Sequence, residues 1–210
     1  MTYRRFTYFI LVCAVILTTG LTARPAVAGH SVDPSTLNPP PPPEYNPVCH
    51  AVGSGVICDI NWSAPEPAYG SGLICGTGAE SFEVIGVDVK SVSGHRYYDQ
   101  DLNLTERHFR EEYVGRLTNP LTGAYLDFIQ ADTVMHNLTV PGDVATGNEH
   151  VSGSTRIWRP DGGVVLTDSG TGLLSSDGTI LSESHHHPFD AYYVYGDTSA
   201  LQPICDALMR

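Results

Sequence analysis

Residues 105–140 read TERHFREEYVGRL-TNPLTG-AYLDFIQADTVMHNLTV, and the architecture follows from this run. TNPLTG (118–123) holds Asn-Pro and a Gly, which supply the backbone angles of a tight connection. The runs on either side are rich in Val, Ile, Thr, Tyr and Phe, the residues that favour strands. The segment therefore predicts a long antiparallel hairpin.

Strand signals continue on both sides of the hairpin, with turns at RPDGG (159–163) and SSDG (175–178). Sequential strands joined by short turns predict an antiparallel meander, and closure into a barrel removes the exposed edges. Thr198 and Ser199 can cap a short C-terminal helix that runs to about Met209. We therefore predict an all-β fold, an antiparallel eight-stranded meander that closes into a β-barrel, with this helix at its end. The eight strand candidates cover residues 52–62, 81–91, 95–99, 104–117, 124–140, 146–158, 163–174 and 179–189.

Three segments divide the chain. Residues 1–28 have the pattern of a signal peptide, with Arg4 and Arg5 before a short apolar run and Ala26-Val27-Ala28 as the cleavage site. Residues 29–48 include five consecutive prolines and are interpreted as a Pro-rich linker. Residues 49–210 form a single domain. We expect a secreted protein that is cleaved after Ala28 and has no later membrane span.

The charge balance excludes one class of partner. The chain has 11 Lys plus Arg and 23 Asp plus Glu, a net charge of −12. Three arginines and no acidic residue leave with the signal peptide, so the mature charge is −15. A surface of this sign repels phosphate backbones, and we expect no nucleic-acid binding.

Four cysteines remain after cleavage, and an even number in an exported chain indicates disulfides. Three pairings are possible. We favour Cys49–Cys58, which closes a small loop, and Cys75–Cys205, which ties the C-terminus to the start of the barrel. No Cys-x-x-Cys is present, so a zinc site of that kind is not expected.

Several short motifs recur in a known group of proteins. They are CHAVGSGVIC (49–58), CGTG (75–78), RYYDQDLNL (96–104), TNPLTG, VPGD (140–143) and GDTSALQPIC (196–205). Together they resemble a group of uncharacterised small secreted actinobacterial proteins, over nearly all of the mature chain. The resemblance implies export from an actinobacterium and a single domain. It brings no known activity, ligand or catalytic residue.

Alternation along the hairpin selects one face as the interior. If Leu117 and Leu126 are partners across the turn, Glu111 faces Asp132 and Arg107 faces His136. Such a charged patch either lines a wet pocket or forms a structural ion-pair network, because buried charges must be paired or solvated. A slip of one residue would instead turn it outward. The candidate pocket residues are Arg107, Phe109, Glu111, Tyr113, Phe128, Asp132, Val134 and His136.

A second candidate lies in ESHHHPFD (183–190), where alternation places Glu183, His185 and His187 on one strand face. His-x-His with a carboxylate is an arrangement that metal sites use. It is similar to the His-x-His of cupin barrels, but their following Glu is missing here. We therefore carry no metal over and interpret the run as the rim of the barrel.

Function remains open between three hypotheses. An exported β-barrel that binds a small apolar or amphipathic ligand or a cell-envelope component is preferred, because such barrels often hold one small molecule. The alternatives are a cyclase or isomerase that uses pocket carboxylates, and a structural or interaction protein with a filled barrel. We expect no cofactor, since no stretch has a cofactor motif. The sequence indicates neither an oligomeric state nor a catalytic residue.

Overall fold

Ten antiparallel strands form one sheet in the computed structural model, which describes residues 29–184 and 187–210. The strands are β1 (Ser31–Val32), β2 (Val48–Val52), β3 (Gly55–Pro65), β4 (Tyr69–Cys75), β5 (Phe82–Tyr98), β6 (Leu104–Thr118), β7 (Tyr125–Asn137), β8 (Asn148–Trp158), β9 (Val164–Ser175) and β10 (Ile180–Ser184). Two short helices follow, α1 (Pro188–Tyr193) and α2 (Gln202–Leu208). The predicted all-β class, the meander and the C-terminal helix are confirmed. The predicted signal peptide lies outside the described residues.

The strand order is β1-β2-β3-β5-β6-β7-β8-β9-β10, and β4 pairs with the first part of β5. The sheet is not closed: within 29–184 and 187–210 no pairing joins β10 to the first strands. The two helices lie across the opening instead. In α1, Phe189 N donates to Asp168 of β9 and the Tyr193 hydroxyl donates to the Ser71 carbonyl of β4. Helix α2 likewise contacts both β4 and β9.

The hairpin of β6 and β7 has the predicted register, with Leu117 opposite Leu126. Its turn closes through a hydrogen bond from Gly123 N to the Asn119 carbonyl, at a Gly123 φ of 77° that favours glycine. Asn119 is buried, and its side-chain amide donates to the Leu208 carbonyl at the end of α2 (3.1 Å). The turn therefore also holds the C-terminal helix against the sheet.

The main core lies between α2 and one end of the sheet. Its buried residues are Leu73, Cys75, Phe82, Val84, Leu126, Phe128, Ile157, Leu166, Leu201, Ile204, Cys205 and Leu208. The predicted Cys75–Cys205 disulfide is present within it and ties β4 to α2. Burial of these side chains explains why so short a helix is stable, since isolated helices of this length are not.

A second, smaller core lies at the opposite end of the sheet, around Leu37, Val56 and Leu104. The predicted Cys49–Cys58 disulfide joins β2 and β3 there. The Pro-rich segment that we interpreted as a linker packs on this end, because Leu37 is buried and the Tyr98 hydroxyl donates to the Pro39 carbonyl. Residues 31–39 are thus in contact with the domain.

Several predicted boundaries were wrong. The candidates 81–91 and 95–99 form one continuous strand, β5, whereas β1, β2 and β4 were not predicted, so the described sheet has ten strands and not eight. The last candidate, 179–189, ends at Ser184 because Pro188 has no N–H for a strand ladder and begins α1 instead. Phe189 and His187 are therefore not strand residues.

Candidate functional site

The inner face of the sheet is the side that packs against α1 and α2, and every second residue of each strand points to it. On the hairpin the register places Glu111 opposite Asp132 and Arg107 opposite His136, as predicted. The same alternation, followed across β8 and β9, adds Thr155 and Asp168. Polar residues from four strands thus share one concave surface.

Three adjoining cavities follow this surface, and we call them together the trough. The central cavity, of about 250 Å³, is lined mainly by apolar and aromatic side chains. A second cavity of about 380 Å³ shares Gln130, Thr155 and Phe189 with it. A third of about 620 Å³ shares Tyr69, Phe128 and Gln130. The central walls include Tyr69, Leu117, Phe128, Ile157, Phe189 and Tyr193. The trough therefore has an apolar middle between two more polar ends.

The 380 Å³ cavity is the carboxylate end of the trough, because Asp132, Asp168, Glu183 and Asp190 all line it. Burial raises the pKa of Asp132, and the charges of Glu111 and Asp168 add to this, although a 2.6 Å hydrogen bond from the Gln130 amide acts in the opposite direction. Burial also raises the pKa of Asp190. Two of these carboxyls thus hold their protons more firmly than in water.

Glycines on β8 and β9 provide the space for this end. A Cβ at Gly153 would lie 2.0 Å from Asp132 Oδ1, and one at Gly170 would lie 2.3 Å from the His187 ring. Gly172 differs, because a Cβ there would meet its first neighbour only at 3.5 Å. A Cβ at Gly172 would therefore be in ordinary van der Waals contact without a clash, and a side chain added there would project into the trough, whose wall includes Gly172.

His187 is held at both ring nitrogens. Nδ1 lies 3.0 Å from Asp168 Oδ1, and Nε2 lies 2.8 Å from the Ser184 carbonyl, which can only accept. Partial burial lowers the pKa of His187, but the bonds to Ser184 and Asp168 together outweigh it and the pKa is raised. Because both nitrogens face acceptors, this geometry favours the imidazolium form of His187, which positions Asp168, and neither nitrogen is free to act on a ligand.

Arg107, His136 and Glu149 form a network of their own on the inner face. Arg107 Nε donates to His136 Nδ1 (2.9 Å), and Arg107 Nη2 donates to Glu149 (2.8 Å). Since Nδ1 accepts, the proton of the fully buried His136 sits on Nε2 and is donated to the Thr146 carbonyl (2.7 Å). This part of the predicted patch fixes the loop after β7.

Glu111 forms a separate pair. Its carboxylate accepts from the Tyr113 hydroxyl (3.1 Å) and lies 3.5 Å from Lys90 Nζ, which also sits 5.0 Å over the Tyr113 ring. The Lys90 and Glu111 side chains are each about a quarter exposed. The ion pair is thus partly hydrated, and its contribution to stability is modest.

The predicted pocket residues therefore divide. Phe128, Asp132 and Tyr113 line the trough. The same face carries, outside the three cavities of the trough, Arg107, Glu111, Val134 and His136. Phe109 borders a more open cavity of about 510 Å³.

Of the metal candidate Glu183, His185 and His187, the structure describes only Glu183 and His187. His185 lies outside the described residues, and both His187 nitrogens are engaged. The Glu183 carboxylate accepts from the Tyr195 hydroxyl (3.1 Å). Across 29–184 and 187–210, no cluster of three or more His, Cys, Asp or Glu side chains is arranged to hold a metal ion.

Sequence reasoning missed part of the trough. Asp168 and Thr155 were predictable, because the alternation of the hairpin, extended to the next two strands, places both on the inner face. Phe189 and Tyr193 were not predictable, since they line the trough only because a helix begins at Pro188. Tyr69 depends on β4, which carries two glycines and no clear alternation. Asp88 lies within the predicted strand 81–91, and only its hydrogen bond to Tyr69 depends on β4.

Comparison with protein-family models, curated proteins and solved structures finds no match to this chain. In the portion of the chain that the structure describes, no helix has the length and apolar character needed to cross a membrane. Function is therefore argued below from the geometry of the trough.

Proposed function

We propose that the protein is an exported binding protein that takes a small amphipathic ligand, or the exposed end of a cell-envelope component, in the trough. The observation that carries this proposal is the shared lining of the three cavities, which joins an apolar middle to a polar end. Cavities of a few hundred Å³ with an apolar lining and a few convergent polar groups are typical of small-molecule sites.

The carboxylate end selects the ligand's head group. Carboxylates accept hydrogen bonds, and the Gln130 amide already donates to Asp132. An anionic head would meet four acidic side chains and one imidazolium, so it is repelled. A head with several hydroxyl groups satisfies the acceptors without adding charge. The apolar middle, with Phe128 and Phe189, then covers the ligand's body.

Octyl glucoside below its micelle concentration is a suitable probe, since it joins a hydroxyl-rich head to an apolar tail. Calorimetric titration should give one site per chain, and octyl sulfate, with the same tail, should not bind. Asp132→Asn should weaken octyl glucoside on the order of tenfold, the loss of one hydrogen bond to a charged group. Asp127→Asn is the matched control, because Asp127 lies on the same strand with its side chain on the outer face near Arg116. Equal binding of both detergents, or none, would reject the proposal.

A second candidate function is acid/base catalysis of the cyclase or isomerase kind. The observation that favours it is Asp132, a carboxyl with a raised pKa inside a cavity, as general acid/base groups often are. A product released from a bound ligand by the native chain, and not by Asp132→Asn, would distinguish catalysis from binding. The filled-barrel hypothesis has less support, because the trough leaves the inner face open in its middle.

Export and closure also belong to this proposal. The two disulfides fit an extracellular protein, and the signal peptide and actinobacterial family stay predictions from the sequence. Closure into a barrel likewise stays a prediction, supported by the helices that contact both β4 and β9. The mass of the secreted chain tests cleavage after Ala28.

A further inference from the structure

Asp88 on β5 has a carboxylate of which only one oxygen has a hydrogen-bond partner in the described part of the protein. It is 7% exposed. Its Oδ2 accepts from the Tyr69 hydroxyl (2.8 Å), whereas its Oδ1, also buried, has no hydrogen-bond partner among the described protein atoms. Lys90, two residues further along the same face, pairs with Glu111 instead. Buried hydrogen-bond acceptors nearly always have a donor, so the unpartnered oxygen indicates a ligand that donates to it.

The space around Asp88 is open and largely aromatic. Asp88 lines the 620 Å³ cavity together with Glu66, Tyr69, Tyr113 and Phe128. This cavity forms the end of the trough away from Asp168, and we call it the Asp88 end. It shares Tyr69 and Phe128 with the central cavity and Gln130 with both other cavities, so it continues the trough.

Two glycines make this arrangement possible. A Cβ at Gly86 would lie 2.5 Å from the Tyr69 ring, and a Cβ at Gly115 would lie 2.5 Å from the Cβ of Asp88. Both glycines are direct cross-strand neighbours of the residues they admit, Gly86 of Tyr69 and Gly115 of Asp88. The bare backbone at these two positions is what lets the ring and the carboxylate lie side by side at the cavity wall.

We propose that the Asp88 end binds a primary alkylammonium group. An N–H of the ammonium donates to Oδ1, the positive charge offsets the buried carboxylate, and the rings of Tyr69 and Phe128 favour a cation. An anion is excluded by Asp88 and Glu66. This inference rests on the proposed function in one respect, since it assigns the second polar end of the same ligand.

The test uses butylammonium chloride, which is too short to depend on the carboxylate end, with the disulfide-intact secreted chain and calorimetric or NMR titration. Butan-1-ol has the same carbon chain and a neutral donor, and tetramethylammonium has the charge without an N–H. We expect butylammonium to bind at least about tenfold more tightly than either, because it alone supplies a charged donor. Asp88→Asn should remove that advantage. Glu66→Gln, which deletes an equal charge from the same cavity but leaves Oδ1, should weaken binding less than about threefold.

Tyr69→Phe keeps the inference testable should Asp88→Asn disturb the fold. It removes the neutral donor and leaves the carboxylate, so butylammonium binding should persist or tighten. Equal affinity for butylammonium and butan-1-ol would mean that a neutral donor suffices and would overturn the charge assignment. No binding of any probe would show that the Asp88 end holds no ammonium group and would also overturn the inference. Loss of binding in Asp132→Asn but not in Asp88→Asn would place the amine at the carboxylate end, overturning this inference and leaving the proposed function intact.

Discussion

Strand β7 runs through two different environments on one face. Leu126 is buried in the apolar core under α2, and Phe128 lies between this core and the central cavity of the trough, which it also lines. Two and four residues further on, Gln130 and Asp132 point to the same side and line the trough. Their strand and face are alike, and what differs is the element that lies over them. Side chains of α2 fill the space over Leu126, and the trough beyond it is open.

This difference shows that alternation along a strand decides only which face a residue occupies. Whether an inward position becomes core or site depends on what covers it, here a seven-residue helix tied to β4 by Cys75–Cys205. Residues of the filled end should therefore matter for stability, and residues of the trough for binding. The predictions below separate the two.

The largest effect is expected from the disulfide at the filled end. Replacing Cys75 and Cys205 by Ser should cost about 5 kcal/mol, since the bond closes a loop with a sequence separation of 130. The same change at Cys49 and Cys58, separated by 9 residues, should cost about 2.5 kcal/mol. Urea unfolding of the two double variants measures both, and equal losses would mean that α2 does not depend on its tether.

Truncation of core and trough residues should give unequal losses. Leu126→Ala at the filled end removes a buried side chain and should cost about 2–5 kcal/mol. Val151→Ala, at a partly buried position in the wall of the carboxylate end, should cost about 1 kcal/mol. Denaturant unfolding provides the comparison. Similar costs at the two sites would contradict the distinction between a filled end and an open middle.

His187 should make stability depend on pH. Because its pKa is raised in the folded state, its charge stabilises the protein fully below the unfolded value of about 6.5, and this contribution is lost as pH rises through the folded pKa. His187→Asn should cost about 2 kcal/mol at pH 5.5, and the difference from the native chain should shrink toward pH 9. Thermal unfolding across this pH range provides the measurement, and the same dependence of stability on pH in both proteins would contradict the assignment.

Glu111→Gln should have the smallest effect, under about 1 kcal/mol, because Lys90 and Glu111 are both partly hydrated. A filled interior would instead leave a buried lysine uncompensated and cost about 3–5 kcal/mol. Thermal unfolding distinguishes the two values, and a large loss would show that solvent does not reach this part of the inner face.

The hairpin was predictable because its information is local. The TNPLTG turn and the alternation of residues 104–140 were sufficient for the pairs Glu111–Asp132 and Arg107–His136. The sequence did not predict that the charges of this patch form two separate groups. Arg107 pairs with Glu149 on β8, and Glu111 pairs with Lys90 on β5. The end of β10 was misjudged for a different reason: the strand-like residues 185–189 contain Pro188, whose effect on the backbone outweighs them.

The open trough is the central claim, and Gly172 offers the most direct way to test it. A side chain at Gly172 meets no atom closer than 3.5 Å from its Cβ, so Gly172→Leu should fold normally and project into the carboxylate end. Ala, being smaller, is the matched control at the same position.

Native mass spectrometry of the chain secreted by its own host, compared with the two variants, is the decisive measurement. We expect the native protein and Gly172→Ala to carry a bound small molecule at one per chain, and Gly172→Leu to have the same melting temperature without it. A native chain that emerges bare, or a Gly172→Leu chain that retains the full complement of ligand, would contradict the trough as the binding site.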